Sequence, residues 1–495
     1  MPNHPQQPLR RHASAALCTL LGLLLSIAPA VRADNIALPD IGASAGRLIT
    51  PEEERKLGRQ FMRSVRRSLP VMDDPLLVEY IEGLGQRLAS QADEGRRNFY
   101  FFLIDQPVIN AFAGPGGHIG VYSGLILATE SESELASVVA HEIAHVTQDH
   151  LVRAFESASQ MSAPTAALLL AAILLGSAVS GDLGMAAAAG IQAAAIQQQL
   201  NFTRQNEKEA DRVGIKTLAQ ADFDPNAMPV FFERMARASR LYENNAPEFL
   251  RTHPVTTDRI ADALGRAGAF AYRQRQEDLN YFLLRAILRE RSFSNPKQAV
   301  THFAGTLKQG RYRQEDAERY GYALALLRDH QAKKARPEAR RLIAKAPTNI
   351  AYVLLDARIK AQLGQVDKAL KSVSTALELF PGNYSLTQYF AELSLEHGQP
   401  GKAEKALERA LKRRPDEPAL YKLRSRAEAA QGNRADAHRY LAEAHYLNGQ
   451  LERAKQQLEV ALRGEQFDFY DAAKLQAKLE DIKSELKEEK ERKKK

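Results

Sequence analysis

His141 and His145 stand four residues apart in "VVAHEIAHVTQDH" (138–150), with Glu142 beside the first of them. On a helix that spacing places both imidazoles on one face, one turn apart. Two neutral ring nitrogens so placed can share one zinc ion, and the Glu142 carboxylate can reach a water bound to it. The chemistry on offer is metal-assisted hydrolysis, in which the metal acidifies water and the carboxylate takes its proton. Chance alone yields this histidine–glutamate–histidine spacing about 0.04 times in a chain of this composition, so the pair needs support from elsewhere. An active zinc site usually has three protein ligands and one open position. "RQNEKEADRVG" (204–214) offers the third ligand, because Glu207 and Asp211 are again one helical turn apart. Glu207 can complete the coordination, and Asp211 can accept a hydrogen bond from a ligating histidine and orient its ring. Taken alone, such an acid pair is usually a solvated helix face; the histidine pair reverses that reading.

The elements that must position these groups are legible in outline. "SESELASVVAHEIAH" (131–145) predicts a helix opened by a capping box of Ser131 and Glu134. "TPEEERKLGRQFMRSV" (50–65) predicts an earlier helix capped by Thr50, and "NFYFFLI" (98–104) a strand. In "NAFAGPGGHIGVYSGLI" (110–126) a Gly/Pro turn precedes a short alternating strand. Residues 34–275 therefore read as one mixed domain in which helices outnumber strands. Beyond residue 300 a repeat appears. Pro347, Pro381 and Pro415 are 34 residues apart, and Gly364, Gly398 and Gly432 keep the same interval. Ala369, Ala403 and Ala437 form a third column, which Ala335 extends upstream although the proline and glycine columns fail there. This is the tetratricopeptide period: glycine permits the turn, alanine lets two helices approach, and proline ends the pair. Gly449 and Ala454 repeat the signature once more, so 276–465 reads as an α-solenoid. Residues 466–495, ending "KSELKEEKERKKK", read as a charged tail, either a solvated, fraying helix or disordered. The expected fold is mainly α with a small β-sheet, a mixed domain carrying the histidine pair followed by a solenoid.

Composition narrows the setting. Hydrophobic residues at 44% and charged residues at 26% are ordinary for globular chains, which excludes wholesale disorder. The net charge of +8 is mild, and no cluster of basic and aromatic residues suggests nucleic-acid binding. Arg10 and Arg11 precede the apolar run "ASAALCTLLGLLLSIAPA", and small residues follow, which predicts a signal peptide over 1–33 cleaved after Ala33. An uncleaved anchor is the alternative, for which the run is short. Cys18 is the only cysteine and lies in that segment, so the mature chain has no thiol, as suits an oxidising compartment. "APTAALLLAAILLGSAV" (163–179) is uncharged but too short for a membrane span, and predicts buried or membrane-grazing helices with possible peripheral membrane contact.

"HEIAH", followed some sixty residues later by "EKEAD", resembles the gluzincin metallopeptidases related to the CAAX prenyl proteases and HtpX. "NAFAGPGGHIGVYSGL" is similar to the segment that forms that family's edge strand beside the active-site cleft. With a leader in front and repeats behind, the chain resembles exported, repeat-bearing members of the family. The resemblance implies one zinc ion per chain, ligated by His141, His145 and Glu207, with Glu142 as general base. Asp211 corresponds to the family's acid near the third ligand, and proton donation and ring orientation both stay open for it. "RTHPVTTDR" (251–259) resembles a loop whose histidine, here His253, caps the zinc and holds the enzyme inactive. An extended substrate would add to an edge strand carrying His118, Gly120 and Tyr122. The resemblance further implies a periplasmic zinc endopeptidase and quality-control chaperone of a Gram-negative bacterium. Its partners would be unfolded or misassembled outer-membrane β-barrel proteins and, through the repeats, the barrel assembly machinery. Two readings compete: a non-proteolytic scaffold with a structural or self-inhibited zinc site, and an integral-membrane prenyl-type protease. Closed structural sites often use cysteine, which the mature chain lacks.

Overall fold

The computed structural model describes residues 51–92, 97–153, 204–241, 247–271, 277–464 and 467–494. The leader, Thr50 and the apolar stretch 163–179 lie outside the described residues.

Helix α1 (Pro51–Ser68) opens on proline and three glutamates and ends on Arg66 and Arg67, which suits both ends of its dipole. Its apolar side, Phe61, Met62 and Val65, packs with Phe102, Ile104 and Tyr122 of the sheet. Helix α2 (Pro75–Ala92) follows. Three strands form that sheet, β1 (Tyr100–Ile104), β2 (Ala111–Gly114) and β3 (His118–Tyr122), in the order β1–β3–β2. The β3 strand runs parallel to β1 and antiparallel to β2. The hairpin between β2 and β3 turns on Gly116 and Gly117, at φ 69° and 74°. A Cβ on Gly117 would sit 2.1 Å from the Asn98 carbonyl oxygen, so only glycine fits.

This order corrects the expected edge strand. His118, Gly120 and Tyr122 lie on the central strand, paired on both sides and buried. The tight glycine hairpin folds β2 outward while β1 takes the other flank, so the edge beside the helix that carries His141 and His145 is Ala111–Gly114. His118 is a structural residue there: its Nδ1 lies 2.9 Å from the Pro115 carbonyl, and its ring stacks on Tyr100 at 4.7 Å. Burial lowers its pKa to about 4. A histidine depressed in the folded state costs nothing above its unfolded value near 6.5, and destabilises as pH falls from there towards 4. Between those values about 3 kcal/mol is lost. His118→Gln should therefore flatten that part of the pH–stability profile in denaturant titrations; an unaltered acid limb would count against this.

Helix α3 (Ser123–Ala128) leads to helix α4 (Glu132–Thr147), which carries the histidine pair. Ser131 caps it by accepting from the Glu134 amide at 3.1 Å, whereas the Glu134 carboxylate reaches the Glu130 amide rather than that of Ser131. Glu132 through His145 are all buried, because α4 is the central helix of its domain. Around it pack α2, the β2 strand, α5 (Arg204–Gln220) and α6 (Ala227–Leu241). Two short helices, α7 (Glu248–Thr252) and α8 (Thr257–Ala267), close the far side.

Beyond them the chain climbs through antiparallel helix pairs. The first helices of successive pairs begin at Ile350, Tyr384 and Pro418, the 34-residue interval read from the sequence. Gly364, Gly398, Gly432 and Gly449 all adopt positive φ, and each following amide bonds back five residues, as Gln365 does to Lys360 at 2.8 Å. The column continues upstream where glycine is missing: His330 takes φ 58°, and Gln331 bonds back to Leu326 at 2.8 Å. Ala335, Ala369, Ala403, Ala437 and Ala454 are buried where the paired helices meet.

The solenoid is fastened to the N-terminal domain. One hydrophobic cluster runs without a break from Leu77, Ile81 and Val139 through Tyr281 and Leu284 to Leu355 and Ile359. Glu79 of α2 accepts from the amides of Tyr384 and Ser385 at 2.8 and 3.2 Å, capping a repeat helix from outside. The charged tail is a helix, one of its two expected forms, but it is packed rather than solvated. Phe469–Lys494 is a helix whose Leu479, Ile482 and Leu486 pack against Ala442, Ala454 and Leu458. Arg63 and Arg67 of α1 pair with its Glu485 and Glu489 at 2.7 and 3.0 Å. The apolar residues fall at helical spacing inside a charged composition that conceals them.

Candidate metal centre

Four side chains from three elements converge within the domain. His141 and His145 come from α4, Glu207 from the first turn of α5, and His253 from the C-terminal end of α7. Their donor atoms all lie within 4.8 Å of one another, and all four residues are buried. The Nε2 atoms of His141 and His145 are 3.0 Å apart. His253 Nδ1 lies 3.3 Å from His141 Nε2 and 3.1 Å from Glu207 Oε1. The Glu207 oxygens stand 3.5 Å from His141 Nε2 and 3.4 Å from His145 Nε2. Four tetrahedral donors at about 2.0–2.2 Å from a zinc ion stand about 3.3–3.6 Å apart, so these spacings fit a small divalent cation.

Electrostatics point the same way. Burial alone would strip the proton from His141, but the Asp211 and Glu207 carboxylates outweigh it and pull the ring up to about 10. Burial, with the charge on His141, then drives His145 well below the usual imidazole range. Burial would raise Glu207, yet His253 and His141 hold it well below the carboxylate range. The cluster thus demands positive charge between its nitrogens, which a proton or a divalent ion can supply.

Glu142 does not join the donor set. Burial raises its pKa, opposed by His253, His141 and the nearby Ala113 amide of β2. Its Oε1 lies 3.4 Å from His253 Nε2. The residue is therefore suspended between the edge strand and His253, with a carboxylate more basic than usual.

Asp211 sits behind His141, with Oδ1 3.0 Å from His141 Nδ1. Both its oxygens also accept from Arg259, through Nε and Nη2 at 2.7 Å each. Arg259 Nη1 reaches Glu207 at 2.9 Å and the Pro254 carbonyl at 2.8 Å. This buried guanidinium, which ties two acids of the site together, was not singled out by sequence reasoning. Its only signal is that it ends the "RTHPVTTDR" segment, where an arginine reads as surface. His150 was missed as well, and its Nδ1 lies 2.8 Å from His145 Nδ1.

His118, Gly120 and Tyr122 are not brought to this cluster. A cavity of about 670 Å³ opens elsewhere, between α1, β1 and the later repeats, and none of the four convergent residues lines it. No helix among the described residues is long and apolar enough to cross a membrane.

Residues 75–267 match the model of peptidase family M48, and residues 360–427 match a tetratricopeptide repeat. The β-barrel assembly-enhancing protease of Escherichia coli (strain K12) is 36% identical over 458 residues, which is 92% of this chain and 93% of that protein. A putative β-barrel assembly-enhancing protease of Vibrio cholerae is 44% identical over 321 residues, 65% of this chain and 66% of its own. A mitochondrial metalloendopeptidase of Schizosaccharomyces pombe is 32% identical over 182 residues, 37% of this chain and 50% of that relative.

Proposed function

The chain belongs to peptidase family M48 and is a metallopeptidase with tetratricopeptide repeats, and on that premise we propose a periplasmic zinc endopeptidase that serves outer-membrane β-barrel assembly. The observation that carries this reading is the cluster of His141, His145 and Glu207 at tetrahedral spacing with the basic Glu142 beside it. Those three residues would hold the metal. Bound zinc would polarise the scissile carbonyl and bring the pKa of water towards neutrality. Glu142 would take the proton from that water and pass it to the leaving amine. Asp211, whose oxygens both accept from Arg259 and whose Oδ1 lies 3.0 Å from His141 Nδ1, would hold the His141 ring in place. An extended substrate would pair with the outer edge of β2, where the Ala113 amide faces Glu142, and main-chain bonds would then accept many sequences. Partly folded β-rich chains suit that mode. We assign the repeats to recruiting such clients or the assembly machinery, and the whole protein to proteolysis joined with chaperone work. Metal analysis of the purified mature chain, beside casein digestion with and without chelator, tests the reading. About one zinc per chain and chelator-sensitive cleavage are expected; cleavage that survives removal of the metal sinks it.

His253 supports a self-blocked resting form. It takes the fourth donor position, where water must sit, and its other nitrogen faces Glu142. Hydrolysis then requires the loop after α7 to swing out. His253→Ala should raise casein hydrolysis about 10- to 100-fold, the ratio by which a blocked form outweighs a minor open one. The same fourth donor favours one second reading, a scaffold with a closed metal site. In that case His253→Ala loses metal and gains no hydrolysis.

A further inference from the structure

His145 has a second nitrogen whose partner lies outside the metal cluster. Its Nδ1 is 2.8 Å from Nδ1 of His150, a residue with no exposed surface. The two rings meet nearly edge to face, with centroids 4.8 Å apart and planes at 70°. On the far side His150 Nε2 lies 3.1 Å from Glu209 Oε2, and that carboxylate is two-fifths exposed and also meets Arg153 at 3.2 Å. His150 follows the end of α4, while Glu209 stands on α5, so the chain of contacts ties together two of the three elements that carry the cluster.

The hydrogen bonds permit one ordering of protons. Glu209 is an acceptor only, so His150 donates to it through Nε2–H. The Nδ1 atom of a neutral His150 is then a lone pair, which can only accept from Nδ1–H of His145. That leaves the Nε2 lone pair of His145 aimed at His141, Glu207 and His253. The opposite tautomer of His145 would put two lone pairs face to face at Nδ1 and a hydrogen where the metal must sit.

We infer that His150 and Glu209 are positioning residues that fix the tautomer and ring plane of His145 for metal binding. The inference rests on the reading of the cluster as a metal site, and it adds a relay through a third histidine to a surface carboxylate. It matches the role Asp211 and Arg259 play for His141, by different residues. Outer partners of this kind are worth about 10- to 100-fold in metal affinity.

The test measures binding rather than turnover. Zinc affinity of the full mature chain is taken from competition with a chromophoric chelator, and ligand geometry from the visible spectrum of the cobalt-loaded chain. His150→Ala should weaken zinc about 10- to 100-fold and alter the cobalt spectrum. Because that change also empties a buried site, Glu209→Ala provides a second arm on an exposed side chain. It should weaken zinc by a smaller factor, about 3- to 10-fold, while Glu209→Gln, whose amide oxygen accepts the same N–H, restores most of the affinity. Wild-type affinity and spectrum in Glu209→Ala, or equal losses in Glu209→Ala and Glu209→Gln, overturn the inference. If even the wild-type chain binds neither zinc nor cobalt, the metal reading itself has failed, which is a separate result.

Discussion

Glu142→Gln is expected to keep zinc at the wild-type level and to lose about two to four orders of magnitude in casein hydrolysis. The amide has the shape of the carboxylate, so it fits the same buried slot between the Ala113 amide and His253. It contributes no donor to the cluster, whose four members are His141, His145, Glu207 and His253. What it cannot do is accept a proton from water. Burial raises the Glu142 pKa above the ordinary carboxylate value, which makes the residue a better base at neutral pH and moves the acid limb of the rate profile upward. The measurement pairs metal content with kcat/KM on an unfolded substrate. Undiminished hydrolysis by the zinc-loaded variant removes Glu142 from the reaction, and loss of zinc means its role is to hold the site together.

The parts of this site that could be read from sequence are those governed by a local period. His141, Glu142 and His145 lie within five residues of one helix, and helical geometry alone sets their relation. The same holds for Glu207 with Asp211, and for the glycine and alanine columns of the repeats. The sheet order followed a different logic. Both β2 and β3 belong to the quoted segment, but which of them is flanked on two sides depends on where β1 docks, and no pattern within the segment encodes that. Long-range polar partners were equally hidden. Arg259 stands 48 residues from Asp211, and Glu485 stands 422 from Arg63. In a charged surface composition neither residue differs from a solvated one until its partner arrives. His330 shows the converse. The glycine column fails upstream while Ala335 extends the alanine column, and packing of Ala335 and its neighbours sustains the turn there through a left-handed histidine, at a cost of about 1–2 kcal/mol.

Arg259→Ala should be the most damaging single change to stability, by about 3–5 kcal/mol, the usual cost of stranding a buried charge. Burial alone would loosen the Arg259 proton, but Asp211 first and Glu207 after it more than reverse this. The residue is nearly as buried as the two acids it joins, so its removal leaves two buried carboxylates with one fewer cation. Lysine should not rescue the loss, since one ammonium cannot grip both Asp211 oxygens and also reach Glu207 and the Pro254 carbonyl. The deficit of positive charge also predicts a coupling. A divalent ion in the cluster would offset part of the missing charge, so zinc should raise the melting temperature of Arg259→Ala more than that of the wild type. Thermal unfolding of both chains, with zinc and after chelation, gives the four values required. A metal-free variant that melts with the wild type would show that Asp211 and Glu207 tolerate each other unaided, and the guanidinium would then be a bystander in the site.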